Sequence, residues 1–597
     1  MITLDFETEG IVGNPLVTPP RPFGLASIGL LDDSSPVWTT GLESMQEMWH
    51  RALASHQELL FHNAPFDLSV GLQWLGGEWP HWERVHDTMY LLFLSDPYSR
   101  SLALKPSSEQ YLDLPPEEQD ELHEWILTHV PEATRKNAGA FISHAPSALV
   151  AKYAQGDVLR TKRLFDLLHP KVPKEPYDRE RRLSPILAKS SKHGIRVNRE
   201  KLETDIEVCT AGLSKVEEQI YTRLGTEPFN IGSGAQLADR LDKAGVIDQW
   251  FYTPKGRRST AKDNLIQGIS DGCKDLLDLL TYRSTMSTCV GTFMEPWYAF
   301  SERDGRVHTE WNQVANDERG HAGARTGRLS SSRPNFQNPP NPFDWPTPDQ
   351  LPPLPNMRDY LLPEEGHVWI KRDFSSQEIR ILAHFEDGSL MVAYQGNPFL
   401  DPHGMARALI HDHTGVWYER PDVKITGFSI IYGSGVPGLA SQLKRPAHEA
   451  FELREAYFKA MPAAAQLAAS TRQRGQSGGC ITTWGGRPYY VEPPKMINGR
   501  MRSFEYKLLN YLIQGSAGDQ TKQVICDWDE IYNDHSVFMA TIHDEINASA
   551  PKDNWQYEMD QLRHAMDQDL FDVPMRSEGF MGETWGSLNK LENEYGG

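Results

Sequence analysis

Near the start of the chain Ile2, Leu4 and Phe6 alternate with Thr3, Asp5 and Glu7. Alternation with a period of two predicts a strand with one apolar face and one face that aims both acids the same way. Carboxylates presented together repel, so the arrangement is costly unless cations lie between them. Leu59-Leu60-Phe61 is a second short apolar strand, and Asn63 followed by Pro65 marks the cap and first turn of a helix carrying Asp67. Tyr153 and Asp157 stand four apart in a helical stretch, hence on one face. Helical patterning also covers Lys201 to Leu224 and Lys274 to Thr292. Val368 to Phe374 reads as a strand ending on Asp373, with a helix over Ser375 to His384. Val537 to Ala550 reads as two apolar strands around a turn at His543-Asp544, with the adjacent acids Asp544 and Glu545 at its tip.

Arg420 to Tyr432 predicts a further helix, with Pro421 in its first turn and Gly433, Gly435 and Pro437 stopping it. Positions four apart drift only ~40° per step, so Arg420, Lys424, Phe428 and Tyr432 form one slanting stripe. It is cationic at its N-terminal end and aromatic at its C-terminal end. That order suits a nucleoside triphosphate, phosphates on Arg and Lys at the positive helix end and base over the rings. A plain amphipathic core helix does not place charges in line with its aromatic stripe.

Composition changes this picture little. A chain of 597 residues, 39% apolar, predicts several domains with their own cores. The net charge of -21 argues at first against a polyanionic partner. Net charge does not govern a local groove, however, and basic stretches occur at Arg179 to Arg182, Lys189 to Arg199, and Lys255 to Arg258. On charge pattern alone these read equally well as solvated faces. Five scattered cysteines without C-x-x-C spacing exclude a disulfide framework and fit a reducing compartment. With a mean hydropathy of -0.52, no basic leader and no run of about 18 apolar residues, the expectation is a cytoplasmic protein with no membrane contact. Pro170, Pro173 and Pro176 predict a linker, and the eight prolines of Pro339 to Pro355 predict a rigid extended connector over the surface.

Asp-x-Glu at Asp5 and Glu7, Asn-x-x-x-Asp at Asn63 and Asp67, and Tyr-x-x-x-Asp at Tyr153 and Asp157 resemble the 3′→5′ proofreading exonuclease domain of DNA polymerases. Asp87-Thr88 and Leu102-Ala103-Leu104-Lys105 match as well. The resemblance implies a two-metal hydrolysis in which Asp5, Glu7, Asp67 and Asp157 are metal ligands and Tyr153 positions the attacking water. Taken singly, an acidic pair is no more than surface polarity; three motifs in order favour the site.

The later motifs resemble family A DNA polymerases, the bacterial DNA polymerase I type. Asp373-Phe374-Ser375 with Glu378 and Arg380 corresponds to motif A, Arg420 through Gly433 to motif B, and His543-Asp544-Glu545 to motif C. Thr326 to Ser331, Pro334 to Asn338, Asp401-Pro402-His403 and Gln514 to Ala517 also match, as do Phe229 to Ile231, Gln236-Leu237 and Ser259-Thr260 in a thumb region. The implied fold is α/β and α+β multidomain. An RNase H-like exonuclease domain over residues 1–175 precedes a right-hand polymerase, with thumb and start of palm over 176–310 and palm and fingers over 311–597.

The resemblance implies two Mg²⁺ ions per active site, with Mn²⁺ as a substitute, held at the polymerase centre by Asp373 and Asp544. Arg420, Lys424 and His403 would contact the triphosphate, Lys424 also as proton donor to pyrophosphate, and Phe428, Tyr432, Glu378 and Gln377 would complete the nucleotide site. Glu378, held by Tyr432, would be the gate against a ribose 2′-hydroxyl. Arg328, Asn335, Gln337, Asn338, Asn510, Gln514, His543 and Arg380 would contact DNA, with Arg328, Gln514 and His543 reading the minor groove. Motif A usually reads Asp-Tyr-Ser-Gln-Ile-Glu; Phe374, Ser376 and Gln377 depart from it. No 5′-nuclease domain is expected, since the exonuclease strand starts at Ile2. The short stretch from Cys289 to His308 leaves no room for a large thumb insertion. These features resemble a phage replicative polymerase: a monomer acting on primer–template DNA and dNTPs in the host cytoplasm. A primer–template binding protein with inactive sites predicts lost carboxylates, and a single-subunit RNA polymerase predicts neither an exonuclease region nor Glu378. A stand-alone exonuclease leaves most of the chain unused.

Overall fold

The computed structural model describes residues 1–597 other than 31–34, 254, 316–322, 341–342, 344–345, 498 and 593–597. Five strands, β1 (Ile2–Thr8), β2 (Pro22–Ile28), β3 (Val37–Thr40), β4 (Leu59–Phe61) and β5 (Val85–Asp87), form one mixed sheet in the order β3-β2-β1-β4-β5. The central β1 runs antiparallel to β2 and parallel to β4. Its apolar side chains Ile2, Leu4 and Phe6 pack with Met45, Trp49 and Leu68. Helices α1 (Ala64–Leu75) and α2 (Thr88–Ser95) follow β4 and β5, and α3 (Ser147–Leu168) lies against β1 and β2.

The predicted linker is shorter than expected. α4 (Lys174–His193) begins before Pro176, whose missing N–H costs nothing in a first helical turn. This helix also corrects the reading of Arg179 to Arg182, whose charged groups are tied up by partners within the protein. Arg179 is 6% exposed and donates to the Gly485 carbonyl at 3.0 Å. Arg181 donates to the carbonyls of Trp82, Glu83 and Val85, and Arg182 pairs with Asp527 and Glu530. Between them Glu180, fully buried, accepts from Arg487 at 2.9 Å and from Lys522 at 2.6 Å. Gln313 donates to Glu180 and accepts from the Tyr90 hydroxyl of α2 at 2.8 Å. Buried charges persist only where such partners satisfy them. Arg196, Arg199 and Arg258 are likewise bound within the protein.

Helices α5 (Arg199–Leu224) and α6 (Lys274–Thr288) build the next region, α6 continuing as a π-helical stretch to Met294. The proline-rich connector runs along both: Lys215 donates to the Gln350 carbonyl at 2.9 Å and Tyr282 to that of Pro352 at 2.6 Å. Residues 341–342 and 344–345 of the connector lie outside the described residues.

A second five-stranded sheet forms the C-terminal region from β6 (His367–Phe374), β7 (Val537–Ile542), β8 (Glu545–Pro551), β9 (Ser577–Gly582) and β10 (Asn589–Lys590), in the order β7-β8-β6-β9-β10. Alternation along β6 assigns its two faces. Val368, Ile370 and Phe374 enter the core shared with α7 (Gln377–Glu386), α8 (Pro402–Thr414), α9 (Arg420–Ile431) and α10 (Leu508–Asp527). Trp369 turns to the other side, into the core of the α5–α6 region, where it stacks on Trp585 at 5.6 Å. Lys371 and Asp373 follow Trp369 on that face.

Candidate active sites

In the N-terminal sheet β1 presents Asp5 and Glu7, and α3 brings Tyr153 and Asp157, one turn apart, to meet them. Carboxylate oxygens of Asp5, Glu7 and Asp157 lie within 4.8 Å of one another, with Glu7 and Asp157 each 6% exposed. Asp67 is adjacent but outside that trio, its Oδ1 accepting from the Phe6 amide at 2.9 Å. Burial raises the Asp5 carboxyl to about 6, with Lys105 opposing. Burial, then the Asp5 charge, pushes Glu7 and Asp67 well above the ordinary range. Acids that resist ionisation this strongly fit a divalent-cation site, because bound cations are what stabilise such a set. Burial, with Glu7 and Asp5 nearby, also raises the Tyr153 phenol, which remains a neutral donor at physiological pH.

Asp87 has a role that sequence reading missed. Asn63 caps α1 by position only: it sits at φ 74 with no side-chain bond. The Asp87 carboxylate accepts instead from the Asn63 and Ala64 amides at 3.0 and 2.8 Å, and from the Met89 amide at 2.8 Å. One acid thus caps both α1, the helix that carries Asp67, and α2. The place of Asp87 directly before α2 is a local capping signal, but nothing in the spacing signals its bonds to Asn63 and Ala64. Lys105 was likewise legible only as part of a motif; in the fold it pairs with Asp157.

At the second site Asp373 ends β6, directly opposite Glu545 of β8 and Glu578 of β9. Asp544 sits in the β7–β8 turn, made tight by His543 at φ 59, and its carbonyl accepts from the Phe374 amide at 3.2 Å. The two aspartates are thereby brought side by side. Glu545 is engaged by Lys371, which donates to it at 2.8 Å and stands 4.0 Å from Asp373. Asp373 is pushed up to about 7 by burial and then by Asp544 and Glu545; burial raises Asp544 to about 6. This pair also fits divalent cations, as two acids without a dedicated protein counterion.

Helix α9 carries the predicted stripe. Arg420 and Lys424 are exposed, Phe428 is half-buried, and Tyr432 is 39% exposed at the C-cap. Gly433, at φ 68, ends the helix where a Cβ would fall 2.5 Å from the Tyr506 carbonyl. The Tyr432 hydroxyl donates to Glu378 at 3.0 Å, and Gln514 bonds to the same tyrosine. Arg328 also pairs with Glu378. The stripe therefore ends five positions along the chain from Asp373. At its other end Arg420 holds Asp401 in two bonds, at 2.7 and 2.8 Å, while Asp401 caps α8. His403 is 5% exposed, its ring 5.8 Å from Phe428. Burial and the nearby Arg420 and Lys424 lower its pKa to about 4, so it is neutral at physiological pH.

Two expected contacts are corrected. Gln377 is 2% exposed and donates to Gln520, Thr521 and the Ala517 carbonyl of α10, away from any nucleotide. Arg380, also 2% exposed, donates to the carbonyls of Ser375, Pro398 and Pro574, which leaves it no access to DNA. Gln337 is half-committed, its amide donating to the carbonyls of Leu329 and Thr541 and so tying its loop to the strand before His543. Asn335, Asn338 and His543 are exposed, and Asn510 and Gln514 are half-buried.

The sequence signature described as DNA polymerase family A matches residues 199–587. DNA polymerase I of Caldicellulosiruptor bescii is 30% identical over 420 residues, 68% of this chain and 46% of that protein. DNA polymerase I of Chloroflexus aurantiacus is 28% identical over 478 residues, 76% of this chain and 48% of that protein. This chain thus spans about half the length of these bacterial relatives. DNA polymerase DpoZ of Salmonella phage PMBT28 is 25% identical over 643 residues, 99% of this chain and 97% of that protein. Among solved structures, the POL domain of Pol1 from M. smegmatis, in complex with DNA primer-template and dNTP, superposes with a TM-score of 0.74 at 22% identity. That match covers 98% of this chain and 96% of the other. With the signature spanning well over half its length, the chain belongs to DNA polymerase family A.

Proposed function

We propose that this chain is a template-directed DNA polymerase, replicating phage DNA, with a 3′→5′ proofreading exonuclease on the same polypeptide. The observation that carries the reading is the convergence of Asp373, Asp544 and the Glu378–Tyr432 bond at the end of the α9 stripe. Residues 1–175, an RNase H-like domain, would be the exonuclease, 176–310 the thumb and start of the palm, and 311–597 the palm and fingers.

Asp373 and Asp544 would hold Mg²⁺ at the polymerase site, and Asp5, Glu7 and Asp157, with Asp67 beside them, at the exonuclease site. When bound, divalent ions supply charge neutralisation at phosphate and lower the pKa of the attacking oxygen. Arg420, exchanging Asp401 for phosphate, and Lys424 bind the triphosphate, and Lys424 protonates the departing pyrophosphate. His403, neutral, serves as a hydrogen-bond donor to a phosphate oxygen. Phe428 and Tyr432 flank sugar and base. Glu378, fixed by Tyr432 and Arg328, fills the space a ribose 2′-hydroxyl would need. In the exonuclease the neutral Tyr153 phenol orients the attacking water.

Primer extension on a defined template, omitting each dNTP in turn, tests the polymerase reading: extension must stop one position before the first base that requires the missing nucleotide. Extension that ignores the template, or none with intact carboxylates, would sink it. Digestion of a single-stranded 3′ end without dNTPs tests the exonuclease.

A further inference from the structure

The N-terminal site contains a cation of its own. Lys105 is 7% exposed and pairs with Asp157; its ammonium lies 3.5 Å from Glu118 Oε1 and 4.1 Å from the centroid of the Tyr153 ring. A lysine at this depth persists only against negative charge. Glu118 is not its dedicated partner, because Arg160 takes both oxygens of that carboxylate at 2.7 and 2.9 Å. Arg160 is in turn pinned by the carbonyls of Leu114 and Pro115. The Glu118–Arg160 charges therefore cancel, and the Lys105 charge is left to the carboxylates of Asp5, Glu7 and Asp157.

We infer that Lys105 is a resident cation of this site, which holds Asp157 and Tyr153 in their working positions and competes with divalent metal for the same carboxylates. The inference rests on the exonuclease reading above. Asp157 and Tyr153 share one face of α3, and a single ammonium touches both, one by ion pairing and the other across the ring face. It supplies the counterion that keeps the acids together before metal arrives. A metal that takes Asp157 as a ligand must displace the ammonium. Lys105 is thus a positioning residue whose charge opposes metal uptake while preserving the geometry that metal needs.

The test uses the full chain carrying Asp373→Ala and Asp544→Ala, so that only the N-terminal carboxylates report, with Mn²⁺ as probe. Calorimetric titration should show Lys105→Met binding Mn²⁺ about 10-fold more tightly than the parent. In EDTA the variant should melt lower than the parent, and saturating Mn²⁺ should close the gap. Lys105→Gln, which removes the charge and keeps a polar group beside Glu118, must follow Lys105→Met in both measurements. Equal or weaker Mn²⁺ affinity in the two variants, or a melting gap that metal does not close, overturns the inference while leaving the exonuclease reading in place. If the parent itself neither binds Mn²⁺ at these carboxylates nor digests single strands, the exonuclease reading has failed and the inference falls with it.

Discussion

The two carboxylate sites face the same electrostatic problem and solve it differently. At the N-terminal site the acids are buried and carry a counterion within the fold, Lys105. In the C-terminal sheet Lys371 bonds to Glu545 and reaches Asp373 only at 4.0 Å, and Asp373 and Asp544 stand on a more open face. Burial with an internal counterion yields a preformed pocket, which under the proposed reading would accept a 3′ strand end. An open pair, next to the exposed Arg420 and Lys424 and the rings of Phe428 and Tyr432, would under the proposed reading be filled by a succession of different nucleotides. The difference lies in where each site places its positive charge.

The strongest way to break this comparison is to remove one site at a time. Asp373→Ala or Asp544→Ala should reduce primer extension at least ~10³-fold while leaving single-strand digestion intact. Asp5→Ala with Glu7→Ala should do the converse, preserving extension and abolishing excision of a mismatched primer terminus. Parallel loss of both activities in a folded variant of either kind would mean the sites are not separate.

Selectivity sharpens the contrast, since the proposed reading assigns it to the open site alone. Glu378→Ala removes the acid that Tyr432 and Arg328 hold in place. Ribonucleotide incorporation relative to dNTP should rise ~10²-fold in competition assays, with digestion unchanged. An unaltered ratio places the sugar gate elsewhere. Phe428→Tyr should act more weakly. The phenylalanine offers nothing to replace the 3′-hydroxyl that a dideoxynucleotide lacks, so restoring a hydroxyl should recover about 1–3 kcal/mol of terminator use. Termination ladders at fixed ddNTP:dNTP ratio would show it, and identical ladders would remove Phe428 from the nucleotide site.

The smallest effect is on stability. Asp373 is raised to about 7, and Asp544 and Asp5 to about 6. A carboxyl with a raised folded pKa contributes most below its unfolded value of about 4 and loses that contribution as pH rises through the folded value. In EDTA the melting temperature should therefore fall between about pH 4 and pH 7, and added Mg²⁺ should recover more at pH 8 than at pH 5. A metal-induced shift independent of pH would contradict the charge state assigned to both sites.

Local periodicity made much of this legible. The alternation of Ile2 to Glu7 gave the central strand, and the punctuation from Pro421 to Gly433 gave helix α9 with its stripe, because each pattern is complete within about a dozen residues. What was hidden is held by partners distant in sequence. Arg179 and Arg181 look like a basic patch until Asp519, Gly485 and the carbonyls around Glu83 are folded onto them. Gln377 and Arg380 sit in a motif with Glu378, but their side chains are buried and bonded within the protein. Asp87 and Lys105 sit in matched motifs, but their bonds to Asn63, Ala64 and Asp157 come from distant helices and carry no spacing signal.

The bonds that hide α4 from a sequence reader also bear on modularity. Tyr177 donates its hydroxyl to the Asp87 carbonyl and accepts from its amide, and Arg181 needs three carbonyls from residues 82 to 85. Cutting the chain near residue 170 would strand these groups on the surface of whichever piece kept α4. The N-terminal region is therefore not a cassette to be swapped or shed at will: its loss should cost the remainder cooperative folding, and a homologous replacement should function only if it brings its own acceptors for Arg181.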